Sequence, residues 1–286
     1  MSWDPDRLPD QHGRTVVVTG GNAGIGARVS EQLAGAGARV VLASRSPERA
    51  QATIDGIRDR VPGAALALVR LDLASLDSIR TAAAELRALG RIDVLVNNAG
   101  RTDAVRRRET TDDGLELIVG TNAFGAFALT ALVAPALADD GRVVWLGSFA
   151  TKLVRGDVSD LQSERRYAPF RAYGLSKHAT QALGFELDRR WRAAGSARRS
   201  LVAHPGFALD RGSFPLFLQS KERGAWPVVR AAIDPDAEGG TFWGPHRGLV
   251  GRPAPAKPVA SSADPAFGAE VWRQAEAATG VAFPIA

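Results

Sequence analysis

Apolar residues along the first two hundred positions fall into two alternating patterns. Short runs of β-branched and aliphatic residues predict strands at Thr15–Thr19 (TVVVT), Arg39–Ala43, Ala65–Leu71, Ile92–Val96, Arg142–Leu146 and Ser200–Ala203. Between them, helical apolar spacing predicts helices over Ile25–Ala36, from Pro47 onward with Ser46 as its cap, and over Ser75–Leu89, Gly114–Val133 and Ala172–Ala194. The strands are apolar throughout rather than alternating, as in a parallel sheet buried on both faces. The order βαβαβα predicts an α/β protein built on a doubly wound parallel sheet.

After His204-Pro205-Gly206 the pattern breaks. Residues 206–260 are rich in Gly and Pro and carry Phe207, Phe214, Phe217 and Trp226, which predicts an irregular lobe rather than a second domain. Asp264–Thr279 predicts a last helix closed by Gly280. The chain reads as one Rossmann-like domain, with a core of about 12–205 and 246–286 and a substrate lobe of about 206–245.

Composition narrows the function classes. The chain has 286 residues, 45% of them hydrophobic, enough for a sizeable core. Cysteine is absent, which excludes disulfides, a thiol nucleophile and thiolate-bound metal. The four histidines, His12, His178, His204 and His246, have no metal-ligand spacing, so no metal is expected. Met1 to Asp10 is polar and lacks the apolar segment of a secretory signal, and no run of about 18 apolar residues appears. A cytoplasmic protein without a membrane span is expected. The net charge of +5 comes from dispersed Arg residues. The densest run, Arg106-Arg107-Arg108, reads as a solvated loop. A phosphate-contacting patch is the rival reading, but interleaved aromatics and a nucleic-acid fold are missing, so a nucleic-acid partner is not expected.

The chemistry begins at Thr19-Gly20-Gly21-Asn22-Ala23-Gly24-Ile25-Gly26, between the first strand and the first helix. Glycines there let backbone N–H groups approach a pyrophosphate, and the helix N-terminus favours its charge. An acidic residue at the end of the second strand would bind the 2′-hydroxyl of NAD. This chain has Ala43-Ser44-Arg45-Ser46 instead. Arg45 suits a 2′-phosphate, with Ser44 beside it, so NADP(H) is expected over NAD(H). Asp72, past the third strand, reads as an adenine contact or as a local helix cap.

Tyr173 and Lys177 stand four residues apart on a predicted helix and so share one face. A nearby ammonium favours phenolate and lowers the phenol pKa from about 10 toward neutrality, which suits proton exchange with a carbonyl or alcohol oxygen. The spacing alone also describes an ordinary surface pair. Ser148 lies at the C-terminal end of the fifth strand, where ligands gather in such sheets, and can hydrogen-bond a substrate oxygen or cap a turn. Asn97-Asn98-Ala99-Gly100 ends the fourth strand with small residues that let a cofactor lie close. Asn122 sits in the apolar stretch Leu115–Val133, where a buried amide needs partners.

Together these residues resemble the short-chain dehydrogenases/reductases. The resemblance rests on Thr19-Gly20-xxx-Gly24-Ile25-Gly26, Asp72-Leu73, Asn97-Asn98-Ala99-Gly100, Asn122, Ser148, Tyr173-Gly174-Leu175-Ser176-Lys177 and Pro205-Gly206, in family order across about residues 12–250. Asp10–Arg14, Arg165–Tyr173 and Val271-Trp272 resemble the retinol-dehydrogenase-like and protochlorophyllide-reductase-like branch. The resemblance implies a tetrad: Tyr173 as general acid/base, Ser148 orienting the substrate oxygen, Lys177 holding the nicotinamide ribose, and Asn122 keeping a water that relays protons to Lys177. It places Asn98 and Ala99 along the cofactor and wraps the Pro205-Gly206 loop around the nicotinamide end.

The chain departs from the family where many members carry Thr after Pro-Gly, for it runs Phe207-Ala208-Leu209-Asp210. A carboxylate at Asp210 suits a phosphate neighbour only if it points away. The long charged segment Lys152–Ala172 is expected to border the substrate. The expected reaction is hydride transfer between NADP(H) and a bulky apolar alcohol or ketone. A C=C reductase or other tailoring enzyme of secondary metabolism on the same scaffold, and a non-catalytic NADP(H) sensor, are the alternatives. A small-molecule substrate and a homodimer or homotetramer through the long helices are expected partners.

Overall fold

The computed structural model describes residues 3–102, 106–209 and 218–285; Asp210, Phe214 and Phe217 lie outside them. Strands β1 (Thr15–Thr19), β2 (Arg39–Ser44), β3 (Leu66–Arg70) and β4 (Ile92–Asn97) are joined by helices α1 (Gly24–Gly35), α2 (Pro47–Arg60) and α3 (Leu76–Ala88). Ser46 and Ser75 cap α2 and α3, each accepting from the backbone N–H three residues on.

Next comes a helical stretch of mixed geometry. A short α4 (Leu117–Val119) passes into a π turn at Gly120–Phe124, then α5 (Gly125–Val133) and a 3-10 turn at Ala134–Ala136. The expected uninterrupted helix over Gly114–Val133 is therefore broken at its middle. Its start is set by Glu116, whose carboxylate accepts from the N–H groups of Ile118 and Val119 at 3.0 and 2.8 Å. By length and composition the stretch Leu117–Ala136 could cross a membrane, but 89% of its apolar window is buried within the protein, as in a core helix.

β5 (Leu137–Leu146) begins five residues before the expected Arg142, because a register shift between Ile92 and Val94 lets Leu137 pair across the exposed Asp139-Asp140. The chain continues through α6 (Pro169–Ala193), β6 (Arg199–Ala203), a two-residue parallel pair of β7 (Ala208–Leu209) and β8 (Gln219–Ser220), and α7 (Lys221–Ile233). It ends with β9 (Phe242–Pro245), β10 (Pro253–Pro255), α8 (Ala260–Ala263) and α9 (Pro265–Thr279). Asp264 caps α9, and Gly280, at φ +64°, closes it in the left-handed region.

The main sheet runs β10-β9-β6-β5-β4-β1-β2-β3, parallel except for β10 at the edge. The expected doubly wound sheet is present. The expectation of a wholly irregular lobe at 206–245 is corrected, since this segment supplies α7 and a strand of the main sheet. Val202 and Ala203 of β6 pair with Phe242 and Trp243 of β9. Gly224, Trp226 and Pro227 interrupt any helical reading of α7, but Ala225, Val228, Val229 and Ala232 are buried in the core on its side of the sheet. Tertiary packing there outweighs a local preference against helix.

Successive β1 residues serve opposite cores. Val17 faces α3, α5, α6 and α9, whereas Val16 and Val18 face α1, α2 and α7. Val271 and Trp272 belong to the first core, where Trp272 packs edge-on against Phe127 at 4.9 Å between ring centroids. Strand order reverses between β1 and β4, which opens a crevice beyond their C-terminal ends.

Candidate active site

The glycine turn fills that crevice. Gly20 and Gly24 take φ values of +64° and +57°. Gly26 is dictated by space, since a Cβ would overlap the Gly20 carbonyl oxygen and Asn98 Nδ2. The turn is braced from both sides. Asn98 Nδ2 donates to the Thr19 carbonyl at 2.8 Å, and the Asn98 and Ala99 N–H groups each donate to Thr19 Oγ1 at 3.0 Å. Thr53 of α2 donates to the Asn22 carbonyl at 2.9 Å. Asn98 thus acts on the turn as a brace as well as facing the cleft.

A cleft of about 620 Å³ opens over the turn. It is lined by Gly20, Asn22, Gly24, Ile25, Gly26, Ser44, Arg45, Asp72, Leu73, Asn98, Ala99 and Gly100, twelve of the positions the sequence marks for a cofactor. Pro205, Gly206, Tyr173 and Lys177 do not line it, although Leu146 and Ala208 beside them do. Among the described residues, four cations, Arg45, Arg49, Arg101 and Lys221, line it with one carboxylate, Asp72. A close-approach glycine turn under a mainly cationic wall fits a dinucleotide with its phosphates.

Two marked residues are engaged locally. Asp72 accepts from the Ala74 N–H at 2.9 Å and shapes the loop after β3, while Ser75, not Asp72, caps α3. The Ser44 hydroxyl donates to the Ser46 carbonyl at 3.3 Å, which holds the chain's exit from β2. The Arg106–Arg108 run is divided: Arg106 and Arg107 are exposed, whereas Arg108 donates to the Gln162 carbonyl at 2.9 Å.

The reactive side chains meet beyond β4 and β5. Tyr173 and Lys177 lie one turn apart on α6, and Ser148 follows β5. Tyr173 Oη donates to Ser148 Oγ at 3.3 Å, and Ser148 Oγ also accepts from the Ala150 N–H at 3.1 Å. The turn-cap reading of Ser148 holds, and the same hydroxyl also meets the Tyr173 phenol. Lys177 is buried and donates to the Leu146 carbonyl at 2.8 Å.

Asn122 sits in the π turn, a distortion frequent at functional sites. Its Oδ1 accepts from the Arg101 N–H at 2.6 Å, and its Nδ2 donates to the Arg101 carbonyl and Ser176 Oγ, both at 3.0 Å. Both carboxamide donors go to protein groups, so Asn122 anchors the segment at Arg101 that lines the cleft. Ser176 joins the pieces by donating to the Tyr173 carbonyl at 2.7 Å.

The electrostatics differ from the expectation in one respect. Burial pushes the Tyr173 phenol above its ordinary value, with the Ser148 hydrogen bond opposing, rather than the ammonium pulling it down. Lys177 stands 5.9 Å from the Tyr173 ring centroid, and its own burial pushes its pKa down to about 8. In this low-dielectric pocket desolvation sets the direction of both shifts.

Sequence reasoning missed three contributors. Gln181 is fully buried and donates from Nε2 to the Ser148 carbonyl at 3.2 Å. The spacing 173, 177, 181 is a one-face stripe that could have revealed it. Arg49 lines the cleft from the first turn of α2. Lys221 arrives from the segment read as irregular.

Comparison with known proteins agrees with this geometry. The family model for short chain dehydrogenase matches residues 14–206. A polyprenol dehydrogenase of Mus musculus is 34% identical, the match covering 96% of this chain and 87% of that protein. A proposed daunorubicin C-13 ketoreductase, DnrU, of Streptomyces sp. (strain C5) is 34% identical over 94% of this chain and 93% of its own. Retinol dehydrogenase 13 of Homo sapiens is 38% identical over 68% of this chain and 59% of its own. Among solved structures, an uncharacterised protein from Mycobacterium Paratuberculosis superposes with TM-score 0.86 at 36% identity, covering 99% of this chain and all of that one. A short chain dehydrogenase from Burkholderia cenocepacia J2315 in complex with NADP has TM-score 0.66 at 25% identity, over 82% of this chain and 96% of its own.

Fold and site thus define a dinucleotide-dependent oxidoreductase scaffold. The chain belongs to the short-chain dehydrogenase/reductase family, and its relatives include retinol dehydrogenases.

Proposed function

We propose that the chain is an NADP(H)-dependent oxidoreductase that moves a hydride between the nicotinamide and a bulky apolar alcohol or ketone, with Tyr173 as general acid/base. The observation that carries this reading is the Tyr173–Ser148 hydroxyl pair, held at 3.3 Å beside buried Lys177. When bound, the nicotinamide supplies or accepts the hydride. Ser148 and Tyr173 then offer two hydroxyls to one substrate oxygen. Tyr173, kept neutral by burial, is a proton donor at neutral pH, which suits carbonyl reduction. Gln181 and the Ala150 N–H fix Ser148, and Ser176 and Asn122 fix the start of the Tyr173–Lys177 turn.

A bulky apolar substrate is supported by exposed Leu153 and Phe170, which flank Ser148 and Tyr173 in the chain, and by exposed Phe207 and Leu209 after the Pro-Gly pair. The names of the relatives, polyprenol and retinol dehydrogenases and a daunorubicin ketoreductase, point the same way. The direct test is reduction of polycyclic and long-chain ketones with C4-deuterated NADPH. Deuterium is expected on the carbinol carbon, and label on a ring carbon of an enone would replace this reading with C=C reduction.

NADP(H) preference is carried by Arg45 in the cleft wall and the lack of an acid at the end of β2. Arg45→Ala is expected to weaken NADPH binding about tenfold, the worth of a charge-assisted phosphate contact, and to leave NADH binding within about twofold. Equal losses for both cofactors would show that Arg45 does not read the 2′-phosphate.

The pH profile follows from Lys177. Its pKa falls from 10.5 to about 8 on burial, so the ammonium is intact below that pH and is lost above it. For ketone reduction, kcat/KM is expected to be flat below about pH 8 and to fall above it, as Lys177 and then Tyr173 give up protons. Lys177→Met should abolish that limb along with most activity. A profile still flat at pH 9.5 would show that the buried ammonium is not needed.

A further inference from the structure

We propose that Lys221 is a phosphate-binding residue of this chain, its ammonium engaging the dinucleotide's diphosphate from the wall opposite the start of α1. The assignment rests on the nicotinamide-cofactor reading above and adds a contact from a segment that carries none of the glycine-turn motif.

Lys221 is the first residue of α7, half-buried, and lines the same cleft as the glycine turn. A Cβ on Gly24 would lie 3.7 Å from Lys221 Nζ and 3.9 Å from its Cε. The ammonium therefore stands over the residue whose backbone opens α1, where N–H groups and helix field also favour an anion.

The placement is rigidly built. One turn on, a Cβ at Gly224 would stand 2.8 Å from Ile25 Cδ1, 2.8 Å from Ala208 Cβ and 3.2 Å from the Pro205 carbonyl oxygen. The start of α7 is thus pressed against both the glycine turn and the Pro-Gly loop. Gln32 of α1 donates to the Glu222 carbonyl at 3.1 Å. Buried Gln219 donates to the Pro205 carbonyl at 2.8 Å and accepts from the Gly251 N–H at 3.0 Å.

The helix that carries Lys221 does not itself favour a cation at this position. A cation in the first turn opposes the macrodipole of its own helix, where an acidic residue is preferred. Its charge instead joins Arg45, Arg49 and Arg101 on the wall of the cleft.

The two cations divide the ligand. The diphosphate is common to NAD(H) and NADP(H), whereas the 2′-phosphate is not. Lys221 must therefore act on both cofactors, and Arg45 on one.

The test is equilibrium binding of NADPH and of NADH to the full chain, wild type, Lys221→Met and Lys221→Arg, at low and moderate salt. Methionine keeps most of the aliphatic stem, and the melting temperature of each variant without cofactor separates a change in folding from a change in binding. Lys221→Met should weaken both cofactors by the same factor, about tenfold, and flatten the salt dependence of Kd, while Lys221→Arg retains most of the affinity. The assignment is overturned if Lys221→Met binds both cofactors within twofold of wild type, or if its loss is confined to NADPH. If the wild-type chain binds neither cofactor, the nicotinamide reading itself fails and takes this assignment with it.

Discussion

Tyr173→Phe is expected to lower kcat for ketone reduction by about a thousandfold, within the range for loss of a general acid. The substitution removes one atom with one hydrogen-bond partner, Ser148 Oγ at 3.3 Å. The half-buried ring of Tyr173, and hence its packing, is retained. Lys177 keeps its bond to the Leu146 carbonyl, and the Asn122–Ser176 link to the Tyr173 carbonyl does not involve the phenol. Because the phenol does not line the cleft over the glycine turn, NADPH affinity is expected to stay within about twofold. Steady-state kinetics set beside direct NADPH binding separates the two effects. Turnover within tenfold of wild type would remove Tyr173 from the reaction. Unchanged turnover with lost cofactor binding would assign it a positioning role.

Gly26→Ala is expected to abolish measurable NADPH binding and to lower the melting temperature by several degrees. The added Cβ overlaps the Gly20 carbonyl oxygen, a backbone atom, and Asn98 Nδ2, which is itself bonded to the Thr19 carbonyl. Neither can withdraw without moving the turn that meets the phosphates. Overpacking of this kind costs about 1–3 kcal/mol, corresponding to a shift of about 2–10 °C in a domain of this size. Gly35 at the end of α1 is the matched control, because a Cβ there meets nothing within 4 Å. Gly35→Ala should bind NADPH normally and melt no lower than wild type. Normal NADPH binding by Gly26→Ala would mean that the cofactor does not use the turn.

Much of this was legible along the chain because it is governed locally. β1 and β2 could be placed from short apolar runs, and Ser46 and Ser75 mark their helices because a cap acts within three residues. The Tyr173–Lys177 pairing follows from helical periodicity alone. The glycine turn could be recognised from its strand–turn–helix setting, although one of the two groups that forbid a Cβ at Gly26 is Asn98, more than seventy residues away, the other being the Gly20 carbonyl.

Interruptions and long-range partners hid the rest. Asp139-Asp140 masked the start of β5, and Gly224 and Pro227 masked α7, whose helix is secured by burial against the sheet. β9 is a strand because β6 offers it an edge.

The sequence by itself determined the doubly wound order of elements, the glycine turn and the one-face placement of Tyr173 and Lys177, since these depend on spacing within a few residues. Tertiary structure alone decided the π turn that points Asn122 at Arg101, the support of Ser148 by Gln181 and the arrival of Lys221 over Gly24. It also decided the direction in which Tyr173 and Lys177 are shifted, because desolvation depends on what the whole fold packs around a group.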